Sequence, residues 1–261
     1  MLKIKHDIKS LYAINLVEGE GVGTAYEYCA KFRKLEKFIN SIEKPKKILI
    51  AGLPEKYGLS MDFFLLGQIL KAETVVVDER PEVLARAQSV LSTLKEKQLI
   101  DAKMVVFEKV ENLTSFKDEG IMKGKFDLAL SSEVYQRLDG GQQAYIDNLR
   151  IKADNLAIFV PNQGNSSHAE LSGLKSVYLE GLLKHFGECA NMSIYDAGYL
   201  DMPPFPPGLS RSQEKRQQAS ENRLEGFLMK ILGLYCYFEK FFPGFVKKKI
   251  AHITYFMAKG I

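Results

Sequence analysis

Residues 46–80, KKILIAGLPEKYGLSMDFFLLGQILKAETVVVDER, constrain this chain more than any other stretch. A short apolar run from Ile48 to Ala51 leads into a turn bracketed by Gly52 and Gly58. A helical apolar pattern follows, and a second apolar run, Val75 to Val77, ends on Asp78 and Glu79. Strand, glycine turn, helix, strand and acidic tip make the first half of a nucleotide-type binding fold. A carboxylate at the end of the second strand can accept hydrogen bonds from both hydroxyls of a ribose, so the pattern points to an adenosine-bearing cofactor. The competing reading of Asp78 is a cap for the helix that begins near Pro81.

Composition narrows the class. With 261 residues, 46% hydrophobic and 26% charged, the chain has an ordinary globular balance and enough length for one large core. One unit carrying an insertion is expected. A net charge of +4 is too small to imply nucleic acid. Cys29, Cys189 and Cys236 lie far apart without CxxC or Cys/His ligand spacing, so they read as reduced core thiols, and no metal is expected. The first residues, MLKIKHDIKSLYAINL, carry charges every few positions and lack an apolar h-region, and no run of about 18 uncharged apolar residues occurs. A cytoplasmic location is the expectation.

Beyond Asp78 the pattern alternates. Residues 81–98 read as a helix with Pro81 in its first turn, and Val83, Leu84, Ala87, Val90, Leu91 and Leu94 recur at helical spacing. Strand-like runs fall at 104–107, 126–130 and 156–160, each short and apolar but for Asp127, as strands covered on both faces are. A helical stretch at 134–149 is interrupted by Asp139-Gly140-Gly141. A single helix is expected from Ser167, where Ser-His-Ala-Glu fits a capping box, to just before Gly187. Further strands are expected at 192–197 and 252–258. Such β/α alternation argues for a doubly wound sheet.

Two segments stand outside the alternation. In 17–42 a glycine-rich GEGVG precedes a helix capped by Thr24 and Glu27; it reads either as a phosphate loop or as a flexible lead into a capping helix. Residues 202–249 form an insertion before the last strand. It opens with MPPFPPG, continues through a polar stretch at 210–223, and ends in an amphipathic helix at about 224–242. Its stripe includes Leu224, Phe227, Leu228, Ile231, Leu234, Tyr235, Phe238, Phe241 and Phe242. Nine Lys and Arg against four Glu place the chain's basic excess there.

The order of elements resembles that of class I S-adenosylmethionine-dependent methyltransferases. The likeness is carried by residues 46–160, with KFDLALSSEVYQRL similar to the family's pattern at the fourth strand, and by the closing AHITYFMAKGI. It implies a Rossmann-like, doubly wound seven-stranded α/β sheet, with residues 46–201 and 250–261 as core, 1–45 as an N-terminal helical cap and 202–249 as a helical insertion or lid. It also implies the cofactor S-adenosylmethionine. Gly52, Leu53, Pro54 and Gly58 would form the first loop, and Asp78 with Glu79 would take the ribose. Glu108, Lys109 and Val110 would lie near adenine, and Ser131, Ser132 and Glu133 near the methyl group. The chain departs from the family in its first loop, where AGLPEKYGLS replaces an acid followed by alternating glycines, and before the fifth strand, where IKADN replaces a glycine turn.

Methyl transfer from a sulfonium is an in-line displacement in which positioning supplies most of the acceleration, and a base is needed only where the acceptor must lose a proton early. Among the histidines His168 is the candidate, since VPNQGNSSH follows the fifth strand on the ligand-binding side of such sheets; packing at a helix start is its competing reading. Asn162 could orient an acceptor or make the turn. Glu133 could touch cofactor, bind substrate or cap a helix, and Tyr26 could close over the ligand. The insertion suits a small-molecule or lipid-like acceptor, peripheral membrane contact through 224–249, or a helix packed on the core. Two other functions stay open: a nicotinamide-dependent oxidoreductase, disfavoured because no GxGxxG follows the first strand, and a non-catalytic binding module, favoured by the eroded glycine loop.

Overall fold

Seven apolar runs become seven strands of one sheet, in the order β3-β2-β1-β4-β5-β7-β6. The computed structural model describes residues 7–101, 103–117, 120–187, 191–204 and 223–261. Most of the predicted Pro-rich opening of the insertion and nearly all of its polar stretch lie outside these, as does Cys189. The strands are β1 (Lys47–Ala51), β2 (Glu73–Asp78), β3 (Val105–Lys109), β4 (Leu128–Ser132), β5 (Asn155–Pro161), β6 (Met192–Leu200) and β7 (Ile253–Gly260). β1 to β5 are parallel, and β7 runs antiparallel between β5 and β6.

Strand side chains alternate between two apolar layers. Ile48, Ile50, Val76, Leu128, Leu130 and Phe159 face one; Leu49, Ala51, Val75, Val77, Ala129 and Ile158 face the other. Continuous Val/Ile/Leu runs are the signature of strands covered on both sides. The first layer is filled by α1 (Ile8–Glu18), α2 (Val22–Ile39), α3 (Met61–Leu70) and α4 (Pro81–Glu96), the second mainly by α5 (Gln142–Lys152) and α7 (Leu179–Phe186). Close approach of α3 to β2 depends on Gly67, where a Cβ would lie 2.2 Å from Thr74 Oγ1.

Several boundaries differ from the sequence reading. The expected helix from Ser167 to Gly187 is two helices, α6 (Ser166–Ser172) and α7. Gly173 ends the first in the left-handed region at φ 60°, and Val177 then bridges to Asn162 beside the sheet. The N-cap is Asn165, whose side chain accepts from His168 N, rather than Ser167. Likewise Gly21, not Thr24, caps α2, and Glu27 is free for other work. Strands β3, β4 and β6 each run two or three residues further toward their carboxyl ends than their apolar runs suggest.

The insertion's ordered part is α8 (Arg223–Phe238), a 3₁₀ turn at Glu239–Phe241, and α9 (Gly244–Ile250), with Pro243 separating them. α8 lies against α1 and α2 through Met229 and Cys236, both buried. Of the predicted stripe, Phe227, Leu228, Ile231, Leu234, Phe238 and Phe241 face the other way and are exposed. Tyr235 and Phe242 are half-buried, Tyr235 packing on the core beside Tyr26, and the side chain of Leu224 lies outside those described. Core packing is thus supplied mainly by the opposite face of the helix.

Candidate functional site

The first loop leaves β1 at Gly52, whose φ of 83° places it in the left-handed region, and whose N–H bonds to Val77 O at 2.8 Å. A Cβ there would come within 2.9 Å of Val134, so glycine is required by conformation and by space. Asp78 is fully buried. Its Oδ2 accepts from Leu53 N at 2.8 Å and from Arg80 Nη2 at 2.9 Å, while Oδ1 accepts from Arg80 N at 2.9 Å and Arg80 Nε at 2.8 Å. Arg80 also holds the Leu53 carbonyl, and Arg137 reaches both Asp78 and Glu79. Burial opposes ionisation of Asp78, but the Arg80 and Leu53 hydrogen bonds outweigh it and hold the carboxyl below its usual range. Asp78 therefore ties the first loop to the second strand rather than capping α4, whose N-cap is Arg80.

The end of α1 and the GEGVG segment that follows it serve the same loop through one acid each. Glu18 Oε1 accepts from Leu59 N at 2.9 Å and from the Tyr28 hydroxyl at 2.8 Å, and Glu20 Oε1 accepts from Gly58 N at 3.0 Å. A turn that presents two carboxylates is no phosphate cradle. Burial pushes Glu18 up to about 8.

Next to this loop lies a buried ionic cluster that spacing did not reveal. Lys31 of α2 is fully buried and sits 2.8 Å from Glu27, 3.1 Å from Asp62 at the start of α3, and 3.3 Å from Ser132 Oγ at the end of β4. Its ammonium also lies over the rings of Tyr28 and Phe63, at 4.8 and 4.9 Å. Burial raises Glu27 to about 7, Lys31 opposing and Asp201 and Asp62 adding to the rise. Glu133, directly after β4, is pushed well above its usual range by burial and then by Glu27. Its Oε2 has no hydrogen-bond partner among the described residues, and neither does the side-chain amide of Gln136, also buried, one turn on.

A histidine pair borders the cluster. Asp201 follows β6 and His252 precedes β7, so the antiparallel pairing closes the insertion at its base: His252 N bonds to Asp201 O at 2.8 Å, and His252 Nδ1 lies 3.0 Å from Asp201 Oδ2. The His168 ring stacks on His252 with centroids 3.8 Å apart and planes 9° from parallel. Burial, then His252, push His168 down to about 4, whereas Asp201 overcomes burial to raise His252. At neutral pH His168 is uncharged, and its buried Nδ1 has no partner among the described residues. The sequence reading placed position 252 at the start of the last strand and gave it no role; the signal that could have found it is that Asp201 and His252 flank the insertion.

Backbone strain marks the same places. Of the five non-glycine residues with positive φ among those described, Lys71 and Gln98 are exposed residues at helix ends. Ser60, Glu133 and Asp201 are buried, at φ 56°, 55° and 68°, beside Asp62, after β4 and after β6. Each costs about 1–3 kcal/mol, and such residues concentrate at functional sites.

The remaining predicted site residues divide. Ser132 joins the cluster, and Ser131 Oγ accepts from the Tyr145 hydroxyl at 2.8 Å. Glu108 and Lys109 belong to β3, paired with Val77 and Asp78, and are exposed; the loop after that strand begins only at Val110. The Tyr26 hydroxyl donates to Glu239 of the insertion at 2.5 Å, which turns this residue toward α8. Asn162 is wholly used by backbone: its Nδ2 donates to Lys248 O and Ala251 O, and its Oδ1 accepts from Gly164 N, so it makes the turn. Pro54 lies buried in the first loop, its carbonyl 3.4 Å from Arg80 Nη2.

Solved structures share this fold. The [4+2]-cyclase SpnF aligns at 14% identity over 87% of this chain and 79% of its own, with a TM-score of 0.54. A sarcosine dimethylglycine methyltransferase described from Galdieria sulphuraria aligns at 10% identity over 94% and 89%, with a TM-score of 0.52. Magnesium protoporphyrin IX methyltransferase from Synechocystis PCC 6803, with bound SAH, aligns at 12% identity over 91% and 82%, with a TM-score of 0.50. The chain has the class I methyltransferase fold. No protein-family model matches it, and no curated protein matches it in sequence. At these identities the likeness concerns the fold, and a cyclase among the neighbours shows that this fold also hosts other chemistry.

Proposed function

We propose that the chain is an S-adenosylmethionine-dependent methyltransferase acting on a small-molecule or lipid-like acceptor. The observation that carries this reading is the surplus of buried acid around a single lysine: Glu27 and Asp62 pair with Lys31, and Glu133 lies within charge range of both Glu27 and Lys31, while Asp201, held by His252, adds its charge beside Glu27. A cationic ligand would relieve that surplus, and S-adenosylmethionine carries both an ammonium and a sulfonium. The unpartnered Glu133 Oε2 and Gln136 amide are groups that a polar ligand would satisfy.

In this reading the backbone of Gly52 to Gly58 and the acids Glu133 and Glu27 hold the methionine part, and Asp78 with Glu79 holds the ribose by sharing hydrogen bonds now made to Arg80 and Arg137. Ser131 and Ser132 line the end of β4, and Val110 the loop after β3. The cofactor supplies an electrophilic methyl group on a positively charged sulfur. His168, kept neutral by burial and by its stacked neighbour, accepts a proton from the acceptor, while His252 is fixed in orientation by Asp201.

The test is thermal unfolding of the full chain with S-adenosylhomocysteine, S-adenosylmethionine and NADH. Stabilisation by the two sulfur compounds and not by NADH is expected, because a ligand of the native state raises apparent stability. Absence of any shift with either sulfur compound at millimolar concentration would sink the proposal. It would leave the binding-module reading, which the saturation of Asp78 by two arginines favours.

A further inference from the structure

The helix α8 is apolar on two opposite faces, and only one is used. On the inner side Met229 and Cys236 are buried against the cap helices, Arg33 holds the Gly233 carbonyl at 2.6 Å, and Glu239 receives the Tyr26 hydroxyl and, at 2.6 Å, Met202 N. On the outer side Phe227, Ile231, Leu234, Phe238 and Phe241 follow one another at spacings of four, three, four and three residues, which is one helical stripe. All are exposed, Phe241 at 67%, with Phe238 and Phe241 in ring contact, and beyond the break at Pro243 Phe245 of α9 is exposed as well, at 72%. Scattered surface apolar residues are ordinary; a contiguous aromatic row is an interaction surface.

Charge indicates what covers it. Residues 223–250 hold six Lys and Arg against two Glu, a surplus equal to the whole chain's +4, so the rest of the molecule is neutral. One of the two glutamates, Glu239, is buried. Lys230 and Lys240 are exposed on the same segment as the stripe and Lys249 is exposed on α9, and Lys240 lies over the rings of Tyr237 and Phe241 at 3.8 and 4.8 Å, so its charge stays at the rim of the aromatic row. Pairing two copies of this face would set lysines against lysines. No helix of the described residues is long and apolar enough to cross a membrane. An amphipathic helix with aromatics on one face and lysines at its border lies in the plane of a lipid surface.

We propose that the outer face of α8 and α9 docks on an anionic lipid surface. The lysines attract the surface and the aromatic side chains enter the headgroup boundary. This docking does not rest on the methyltransferase reading, since it needs no cofactor.

The test is flotation of the full chain with vesicles of phosphatidylcholine alone and with about one-third phosphatidylserine. Binding to the anionic vesicles only, weakening as salt rises, is expected. A Phe241→Ser, Phe245→Ser variant should lose that binding by about tenfold or more. Its melting temperature should stay unchanged because both side chains are exposed. Lys230→Glu, Lys240→Glu, Lys249→Glu should abolish the preference for anionic vesicles. Equal partition to both vesicle types, no binding, or a dimer in light scattering that the Phe241→Ser, Phe245→Ser variant dissolves would each overturn the proposal. Run without S-adenosylmethionine, the assay succeeds or fails separately from the cofactor titration.

Discussion

Lys31 holds together a group of carboxylates that would otherwise repel one another, since Glu27 and Asp62 outweigh burial and keep it charged. Removing one partner of a buried ionic cluster leaves the others uncompensated, so Lys31→Met should destabilise the fold by about 3–5 kcal/mol in urea unfolding. Glu27 keeps 14% exposure and lies at the edge of the cluster. If the cluster receives the cofactor, Glu27→Gln should weaken S-adenosylmethionine by about tenfold more than S-adenosylhomocysteine, whose sulfur is uncharged, in calorimetric titrations. Glu18 carries a pH signature. Its folded value of about 8 lies above the ordinary 4.5, so between these limits the folded chain keeps a proton that the unfolded chain has released. Stability should fall as pH rises from about 5 to about 8, and Glu18→Gln should flatten that slope. The amide fits the site because turning the Asn15 side chain over offers it Asn15 Oδ1, which otherwise has no partner among the described residues. Of the residues around Lys31 only Ser132 and Glu133 were named as site residues from the sequence, through the resemblance at the fourth strand. Lys31, Glu27 and Asp62 each read as residues of a helix, and a contact between α2 and α3 leaves no trace in spacing.

At the scale of elements the sequence was far more informative. Strands buried on both faces are apolar almost throughout, and that condition made β1, β2, β4, β5 and β7 visible as short runs, while the edge strands β3 and β6 are half-exposed and showed only shorter ones. Errors fell where another requirement took over. The carboxyl ends of β3 and β4 were cut short because polar residues such as Lys109 and Ser132 occupy them, and that of β6 because Gly198 interrupts the run. The break between α6 and α7 was hidden because the apolar stripe continues across Gly173. In α8 the periodicity identified a helix and an apolar face but could not say which of two faces meets the protein, since Met229 and Cys236 are fewer and smaller than the aromatics opposite. Truncation separates the two faces. Met229→Ala should cost about 2–5 kcal/mol and Phe227→Ala less than about 0.5 kcal/mol, measured by chemical unfolding.

For the whole molecule, the central strands came from local pattern and the site from long-range assembly. Glu27 and Lys31 come from the cap, Asp62 from α3, Glu133 from just after β4, and His252 from just before β7. Such a cluster titrates as a unit. A cation arriving beside Glu27, whose folded value is about 7, should expel a proton near neutrality. Calorimetry of S-adenosylmethionine binding in buffers of different ionisation enthalpy should then show net proton release between about pH 6 and 8.

Because β7 lies between β5 and β6 yet follows both in the chain, the ribosome delivers the wedge after the two strands it separates. Until Ile253 to Gly260 have emerged, β5 carries an unpaired edge and β6 has no neighbour, while Asp201 waits for His252. The nascent chain is thus most prone to mispairing just before synthesis passes β7, when a row of bare backbone groups can recruit a strand from another chain. A chain stopped at Ile250 should aggregate rather than show a cooperative transition, and adding a peptide of the missing strand in trans should restore it.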